Sequence, residues 1–164
     1  MNLYPKLYCK KVTDIEVEFL QKNNIKALVL DVDNTLIDFE RNLLEGLEEW
    51  HNKMKENNIK CMILSNSNKK DKVEKVANTF CIPYILFAKK PLKSGFLKAK
   101  KMLDLPEENI AVVGDQIFTD VMGANRCNMF SILVHPIAKK DYLVTRIKRP
   151  IENLIIKKYL EKKG

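Results

Sequence analysis

The sequence predicts an α/β fold in which a central sheet of five parallel strands is flanked by helices. Five short apolar runs alternate with longer segments whose apolar residues recur every three or four positions. This alternation is typical of parallel strands joined by right-handed helical crossovers. The 164 residues are enough for one hydrophobic core and few for two, so we expect a single domain over residues 1–164.

The strands follow from the apolar runs, in chain order. Residues 1–12 show no regular pattern, and we expect them to be irregular. Thr13 to Glu16 has the spacing of a capping box, and it predicts a short helix that ends at about Lys22. Strands are predicted at residues 26–31, 59–64, 82–87, 110–113 and 129–134.

Helices are predicted between these strands because apolar residues line one face of each segment. The stripes consist of Leu43, Leu47, Trp50 and Met54; of Val73, Val76, Ala77 and Phe80; and of Leu92, Phe96, Ala99 and Leu103. Pro91 suits the first position of the last of these helices. Thr119 or Asp120 is expected to begin a further short helix that ends at about Ala124.

The C-terminal segment 139–164 is strongly basic. It holds nine Lys or Arg and three acidic residues, so most of the formal net charge of +8 lies there. Such a surface favours anionic partners. Residues 150–163 are compatible with a helix, but Lys158 and Lys162 interrupt its apolar face. Two interpretations stay open: a docked terminal helix whose lysines extend to solvent, or a helix that lies on an anionic membrane.

Composition narrows the class of protein. A hydrophobic content of 46% with 30% charged residues is ordinary for a soluble globular protein. No apolar run approaches the roughly 20 residues that span a bilayer, and the N-terminus lacks the apolar region of a signal peptide. We therefore expect a cytoplasmic protein, at most peripheral at the inner face of the membrane. The four cysteines form no CxxC pair and are expected to be free structural thiols.

Polar side chains follow four of the five predicted strands. In chain order they are Asp31 and Asp33, Ser65 and Asn66, Lys90, and Asp115 with Asp120. Because the carboxyl ends of parallel strands share one edge of the sheet, we expect these residues to meet there. Neighbouring carboxylates repel unless a cation lies between them, and a divalent metal ion is the usual cation. The first pair alone could be a polar turn, but four such strand ends are difficult to explain in that way.

These residues resemble the motifs of the haloacid dehalogenase-like (HAD) superfamily, over nearly the whole chain. Asp-Val-Asp-Asn-Thr at 31–35 is similar to the first motif, the apolar strand ending at Ser65 to the second, and Lys90 to the third. Gly-Asp-Gln-Ile-Phe-Thr-Asp at 114–120 is similar to the fourth. The resemblance implies a Rossmann-like HAD fold. Many members of the superfamily carry a cap domain, but residues 37–58 and 67–90 have room for little more than one helix each, so we expect no cap domain here.

Within the superfamily the closest likeness is to the small YqeG-type subfamily, which is related to mitochondrial phosphatidylglycerophosphate phosphatase. The finer match is carried by Lys90-Pro91, by residues 114–121 with 123–126, and by Thr145-Arg146. This resemblance implies a Mg²⁺-dependent phosphatase that works through an aspartyl-phosphate intermediate.

The resemblance also implies a role for each motif residue. Asp31 would be the nucleophile, and Asp33 the general acid and base. The implied Mg²⁺ ligands are the Asp31 carboxylate, the Asp33 carbonyl, Asp115 and, directly or through water, Asp120. The groups implied to bind the phosphoryl oxygens are Asn34, Thr35, Ser65, Asn66 and Lys90, with Lys89 and Lys93 as alternatives to Lys90.

A site without a cap is open unless a second subunit covers it, so it suits a phosphate carried on something large. We expect a large or lipid-borne substrate, with phosphatidylglycerophosphate as the first choice and peripheral contact between the basic tail and an anionic membrane. A second hypothesis keeps the chemistry but acts on a soluble sugar, nucleotide or nucleic-acid-end phosphate, with nucleic acid the less favoured partner. A third, a non-catalytic protein that binds anionic surfaces, is disfavoured because every acid, hydroxyl and lysine that the chemistry needs is present.

Overall fold

The structure is a computed structural model that describes residues 2–138 and 143–164. Its strands are β1 (Leu7–Cys9), β2 (Ala27–Leu30), β3 (Lys60–Leu64), β4 (Tyr84–Ile85), β5 (Ile110–Gly114) and β6 (Phe130–Val134). They form one sheet in the order β1-β6-β5-β2-β3-β4, and every neighbouring pair is parallel. The predicted parallel α/β sheet is confirmed, but the predicted count of five strands is wrong, because the sheet has six.

The additional strand lies in the segment that was expected to be irregular. Leu7 stands opposite Ile132 of β6, and Cys9 stands opposite Val134. Three residues are too few to show the period of two that marks a strand in a sequence. The strand forms because the edge of β6 offers backbone partners and because Leu7 and Cys9 pack against the hydrophobic core.

In the described part of the chain, six α-helices surround the sheet. They are α1 (Val17–Lys22), α2 (Leu47–Glu56), α3 (Lys70–Phe80), α4 (Lys93–Leu103), α5 (Met122–Arg126) and α6 (Leu143–Lys163). Short 3₁₀ turns cover Val12–Asp14 and Glu107–Asn109, and a π-helical turn covers Ile117–Val121. A single π turn inside a helical segment is frequent at functional sites. Here it directly precedes α5 and carries Asp120.

Several predicted boundaries differ from the observed ones. The capping box at residues 13–16 overlaps the first 3₁₀ turn, and α1 begins only at Val17. The strand predicted at 82–87 is reduced to the two residues of β4, because this edge strand pairs only with Ile63 and Leu64. Pro91 does not begin a helix, since α4 starts two residues later with Leu92 in extended conformation as its N-cap.

The sheet is buried on both faces, as the unbroken apolar sequence of β2 indicates. Leu28 and Leu30 point into a cluster formed with α1, α2 and α3, while Ala27 and Val29 point into a second cluster formed with α4 and α5. This packing fixes the direction of each strand. It therefore also fixes where the residues beyond the strand ends are placed.

The basic tail is largely one helix docked on the domain. Ile155 and Ile156 of α6 pack against Ile117, Val121 and Leu133, and Tyr159 is buried. On the opposite face Ile147, Ile151 and Leu154 are exposed. The tail residues Lys139 and Lys140 lie outside the described residues. Among the helices that the structure describes, none combines the length and apolarity needed to cross a membrane.

Candidate active site

Three buried acids meet at the carboxyl edge of the sheet. Asp31 directly follows β2, Asp115 directly follows β5, and Asp120 lies in the π-helical turn. One carboxylate oxygen from each lies within 4.8 Å of the other two. Gly114 makes this approach possible, since a Cβ atom on it would stand 2.1 Å from Asp120 Cγ. The fold thus concentrates three carboxylates in a space that a cation could occupy.

Lys90 supplies one positive charge to this cluster. Its Nζ lies 2.7 Å from Asp120 Oδ1 and 3.1 Å from Asp31 Oδ1, and the lysine is itself buried. Burial alone would lower the pKa of Lys90, but the carboxylates of Asp120 and Asp31 outweigh it and raise the pKa above its ordinary value. The ammonium therefore stays charged throughout the physiological pH range.

The single lysine does not offset all of the buried negative charge. Burial raises the pKa of Asp31, with Lys90 opposing and Asp120 adding to the rise. Burial and then the charge of Asp31 raise the pKa of Asp115, against the effect of Arg149. Asp115 Oδ1 is buried and has no hydrogen-bond partner among the described residues. A carboxylate oxygen in this situation is well suited to a divalent metal ion, and an all-oxygen donor set suits Mg²⁺.

Asp33 lies nearer to solvent than the three clustered acids. Lys72 Nζ, from the first turn of α3, lies 2.6 Å from Asp33 Oδ1, and this lysine is only 4% exposed. Lys72 was not among the residues selected from the sequence. The signal was present, because Lys72 shares the inner face of α3 with Val76, four residues later, and a lysine on an apolar face requires an anionic partner.

The residues expected to bind phosphate have different surroundings. Thr35 is buried, and its Oγ1 has no hydrogen-bond partner among the described residues. Ser65 is also buried, and its Oγ accepts the Ser67 N–H at 3.1 Å. Asn34 donates its backbone N–H to Ile37 O and accepts the Ala138 N–H through Oδ1, so these two groups are already engaged within the protein.

Asn66 is engaged with the backbone of Lys90. Its Oδ1 accepts the Lys90 N–H at 2.7 Å, and its Nδ2 donates to the Lys90 carbonyl at 3.2 Å. This paired contact orients the lysine toward the acids. Lys89 and Lys93, the alternatives considered from the sequence, are both exposed. Among the three lysines, Lys90 is the one that lies beside Asp31 and Asp120.

A cavity of about 660 Å³ opens over these groups. It is lined by Asp31, Asp33, Ser65, Asn66, Ser67, Asn68, Lys69, Lys72, Phe87, Lys90, Gln116, Thr119 and Lys148. Its walls carry four lysines, and Phe87 is 61% exposed at its side. Residues 31–92 are all described, and they form loops, α2, β3, α3 and β4 but no further domain over the cavity. The sequence predicted this absence of a cap.

The C-terminal helix reaches this site, which the sequence did not indicate. Arg149 Nη1 donates to the Asp115 carbonyl at 2.6 Å, and Nη2 donates to Asp115 Oδ2. Nη1 also lies 3.0 Å from Glu152 Oε2. The only available signal was weak: Glu152 is an acid on the same face of α6 as Ile155, Ile156 and Tyr159, where an apolar residue would be expected.

Comparisons with known proteins identify the family of the chain. A family model described as mitochondrial PGP phosphatase matches residues 1–138. The probable phosphatase YqeG of Bacillus subtilis (strain 168) is 38% identical over 161 residues, which cover 98% of this chain and 92% of that protein.

Two solved structures share the fold at low sequence identity. An uncharacterized protein from Listeria monocytogenes serotype 4b is 19% identical with a TM-score of 0.57, over 82% of this chain and 99% of that one. A hypothetical protein from Xanthomonas campestris is 14% identical with a TM-score of 0.53, over 74% and 70% of the two chains. The two structures show the fold alone, whereas the family model and the YqeG relative show that the chain belongs to the mitochondrial PGP phosphatase family and is a YqeG-type phosphatase.

Proposed function

We propose that the protein is a Mg²⁺-dependent phosphomonoesterase that forms an aspartyl-phosphate on Asp31. The observation that carries this proposal is the cluster of Asp31, Asp115 and Asp120 with Lys90, of which Asp31 and Lys90 line an open cavity. Such a cluster can bind a cation and a phosphoryl group side by side.

The residues that would hold Mg²⁺ are the Asp31 and Asp115 carboxylates, the Asp33 carbonyl and, directly or through water, Asp120. When bound, the ion would offset the negative charge of the phosphoryl group. The fit depends on Asp115 Oδ1, which is buried without a hydrogen-bond partner among the described residues. It also depends on the raised pKa values of Asp31 and Asp115, since a nearby cation would restore the ionised form.

The chemistry is carried by the two acids of the first motif. A carboxylate oxygen of Asp31 attacks phosphorus, and the ester oxygen leaves with a proton from Asp33. Asp33 then takes a proton from water, which attacks phosphorus and releases inorganic phosphate from Asp31. In the described state Asp33 is paired with Lys72. An incoming phosphate would attract the Lys72 ammonium, and Asp33 would then be released for proton transfer.

The phosphoryl oxygens would be held by Thr35, Ser65 and Lys90. Thr35 supports this assignment best, because its buried hydroxyl has no partner among the described residues. Asn66 would act chiefly by orienting Lys90. The contact proposed for Asn34 remains a prediction.

The proposed substrate is phosphatidylglycerophosphate at an anionic membrane, reached from the cytoplasm. The open cavity, its four lysines and the exposed Phe87 support a large anionic substrate with an apolar part. The family description names PGP phosphatase, and this supports the same choice. Soluble sugar, nucleotide and nucleic-acid-end phosphates are the alternatives. A phosphate-release screen over lipid, sugar and nucleotide phosphates with Mg²⁺ separates them.

We expect Asp31→Asn to abolish turnover of p-nitrophenyl phosphate while the fold survives, because a carboxamide has nearly the same shape but is a poor nucleophile. Activity and thermal unfolding should be measured together. The matched control is Asp104→Asn, since Asp104 is exposed at the C-cap of α4 with φ 53°, a conformation that Asn tolerates. Turnover of Asp31→Asn at the parent rate would exclude the covalent mechanism.

Chelation should stop activity, and added Mg²⁺ should restore it, because three clustered carboxylates otherwise repel an anionic substrate. Asp115→Ala should raise the Mg²⁺ concentration needed for activity or abolish it. Phosphate release in the presence of excess EDTA is the measurement. Undiminished release would contradict the proposed metal dependence.

A further inference from the structure

Arg149 and Glu152 connect α6 to the turn that carries two of the clustered acids. Arg149 contacts both the backbone carbonyl and the carboxylate Oδ2 of Asp115. Glu152 is buried, pairs with Arg149 at 3.0 Å and accepts the Phe118 N–H through Oε1 at 3.2 Å. The helix is thereby tied to residues 115–118 at three points. The match to the family model covers residues 1–138 and so stops before this segment.

We infer that Arg149 and Glu152 are positioning residues that hold Asp115 with Oδ2 occupied and Oδ1 left for the metal ion. This inference rests on the proposed Mg²⁺ site. It extends the site to a helix outside the matched family model, and it makes α6 part of the active site as well as a docked terminus.

The contact geometry favours positioning. A guanidinium presents several N–H groups in a fixed plane, so Arg149 can grip the carbonyl and the carboxylate of Asp115 at once, which fixes the rotation of that side chain. Groups that orient a metal ligand in this way are common around metal sites. Glu152 offsets the charge of Arg149, so the pair contributes orientation and little net charge to the site.

The competing hypothesis gives the same contact the opposite effect on metal binding. Arg149 could act as a cation that competes with Mg²⁺ for Asp115. The two roles predict changes of opposite sign in the affinity for Mg²⁺ when Arg149 can no longer contact both the carbonyl and the carboxylate of Asp115. Metal affinity therefore distinguishes them.

The experiment is calorimetric titration of Mg²⁺ into the metal-free full chain. Arg149→Lys keeps the charge but cannot hold both atoms of Asp115, and Glu152→Gln keeps an acceptor for the Phe118 N–H but loses the ion pair. We expect the Kd for Mg²⁺ to rise about 10- to 100-fold in Arg149→Lys, and to rise less in Glu152→Gln. With p-nitrophenyl phosphate, kcat at saturating Mg²⁺ should recover toward the parent value.

The control is Arg146→Lys, the same substitution at an exposed position of α6, which should leave the Kd unchanged. Thermal unfolding of each variant verifies the fold. An unchanged or lower Kd in Arg149→Lys would overturn the inference alone, provided that Asp115→Ala loses Mg²⁺ binding. If Asp115→Ala bound Mg²⁺ as the parent does, the proposed metal site would fail, and the inference with it.

Discussion

Gly114 has no side chain, and this leaves room for the Asp120 carboxylate in the acid cluster. Asp120 is 1% exposed, and its carboxylate lies where a Cβ atom of residue 114 would be. The Asp120 carboxylate is held there by hydrogen bonds from Lys90 Nζ and from the Gln116 N–H, which a displacement would break. The close approach therefore depends on glycine at this position.

Gly114→Ala should displace Asp120 and lower both activity and Mg²⁺ affinity by at least about tenfold, because a metal ligand moved by an ångström is no longer in place. Overpacking of this kind should also cost roughly 1–3 kcal/mol of unfolding free energy. Urea denaturation and Mg²⁺ titration measure the two effects. Gly164→Ala is the control, since its Cβ would meet nothing closer than Leu160 O at 3.6 Å.

At the residue scale, the sequence identifies the acids and Lys90, but it misses the partners of Asp33 and Asp115. Asp31, Asp115 and Asp120 follow apolar strands or belong to a recognisable motif, so their meeting could be predicted. Arg149 could not be selected in this way, because surface helices contain many Lys and Arg, and Lys72 was marked only by its position on the apolar face of α3. Their importance arises from burial and from contacts between distant segments, which single positions in a sequence do not show.

At the scale of elements, β3 illustrates how burial changes side-chain chemistry. Cys61 lies in the core cluster that covers one face of the sheet, and burial raises the pKa of its thiol to about 12. At pH 8 only about one part in ten thousand is then thiolate, which is the reactive form. Cys81, by contrast, is exposed at the end of α3.

We expect thiol reagents at pH 8 to modify Cys81 quickly and Cys61 only when the protein unfolds. The raised pKa also has a consequence for stability. Between about pH 9 and pH 12 the unfolded chain ionises this thiol while the folded one does not, so stability falls as pH rises in this window. Cys61→Ala should lose less stability between pH 8 and pH 10.5 than the parent protein. Equal losses would contradict this assignment.

The elements themselves were predicted to different extents. The central strands and most residues of the helices with clean apolar stripes were located well, because burial on both faces and a period of 3.6 leave strong signals. Leu43 was assigned to the first stripe wrongly, since it is 37% exposed and lies before α2, which begins at Leu47. The strand β1 was missed and β4 was predicted too long, because edge strands depend on the neighbour they pair with. The start of α4 was placed too early, since Pro91 is compatible with a helix start but does not require one.

At the scale of the whole molecule, α6 presents two different faces. One face docks on the domain and reaches Asp115, while the other exposes Ile147, Ile151 and Leu154 beside exposed lysines. An apolar stripe flanked by basic residues is typical of helices that lie on anionic membranes. The two interpretations of the tail are therefore compatible, because docking and membrane contact would use opposite sides of one helix.

We predict salt-sensitive binding to anionic vesicles and none to zwitterionic ones. Lys162 and Lys163 lie over the rings of Tyr4 and Tyr159, so changing them would disturb docking. Lys157→Glu with Lys158→Glu instead changes exposed charge only. Each basic residue contributes roughly 1 kcal/mol at such a surface, so vesicle affinity should fall at least about tenfold.

In the same double variant, hydrolysis of p-nitrophenyl phosphate should be unchanged while hydrolysis of vesicle-borne phosphatidylglycerophosphate falls. Sedimentation with vesicles and phosphate release are the measurements. If both activities stayed equal to those of the parent, the lysines would only be solvated. Stronger binding to duplex DNA than to vesicles would favour the nucleic-acid hypothesis.

The shortness of β1 and β4 affects the tendency of the protein to aggregate at high concentration. The two strands form the edges of the sheet and contain three and two residues. A sheet edge is a row of backbone donors and acceptors with which a foreign strand can pair, and this pairing begins many forms of aggregation. A stray strand would find too few backbone partners here to attach firmly. The short edge strands therefore disfavour the addition of strands from other molecules. The longer strands β6, β5, β2 and β3 lie inside the sheet, where both of their edges are already paired.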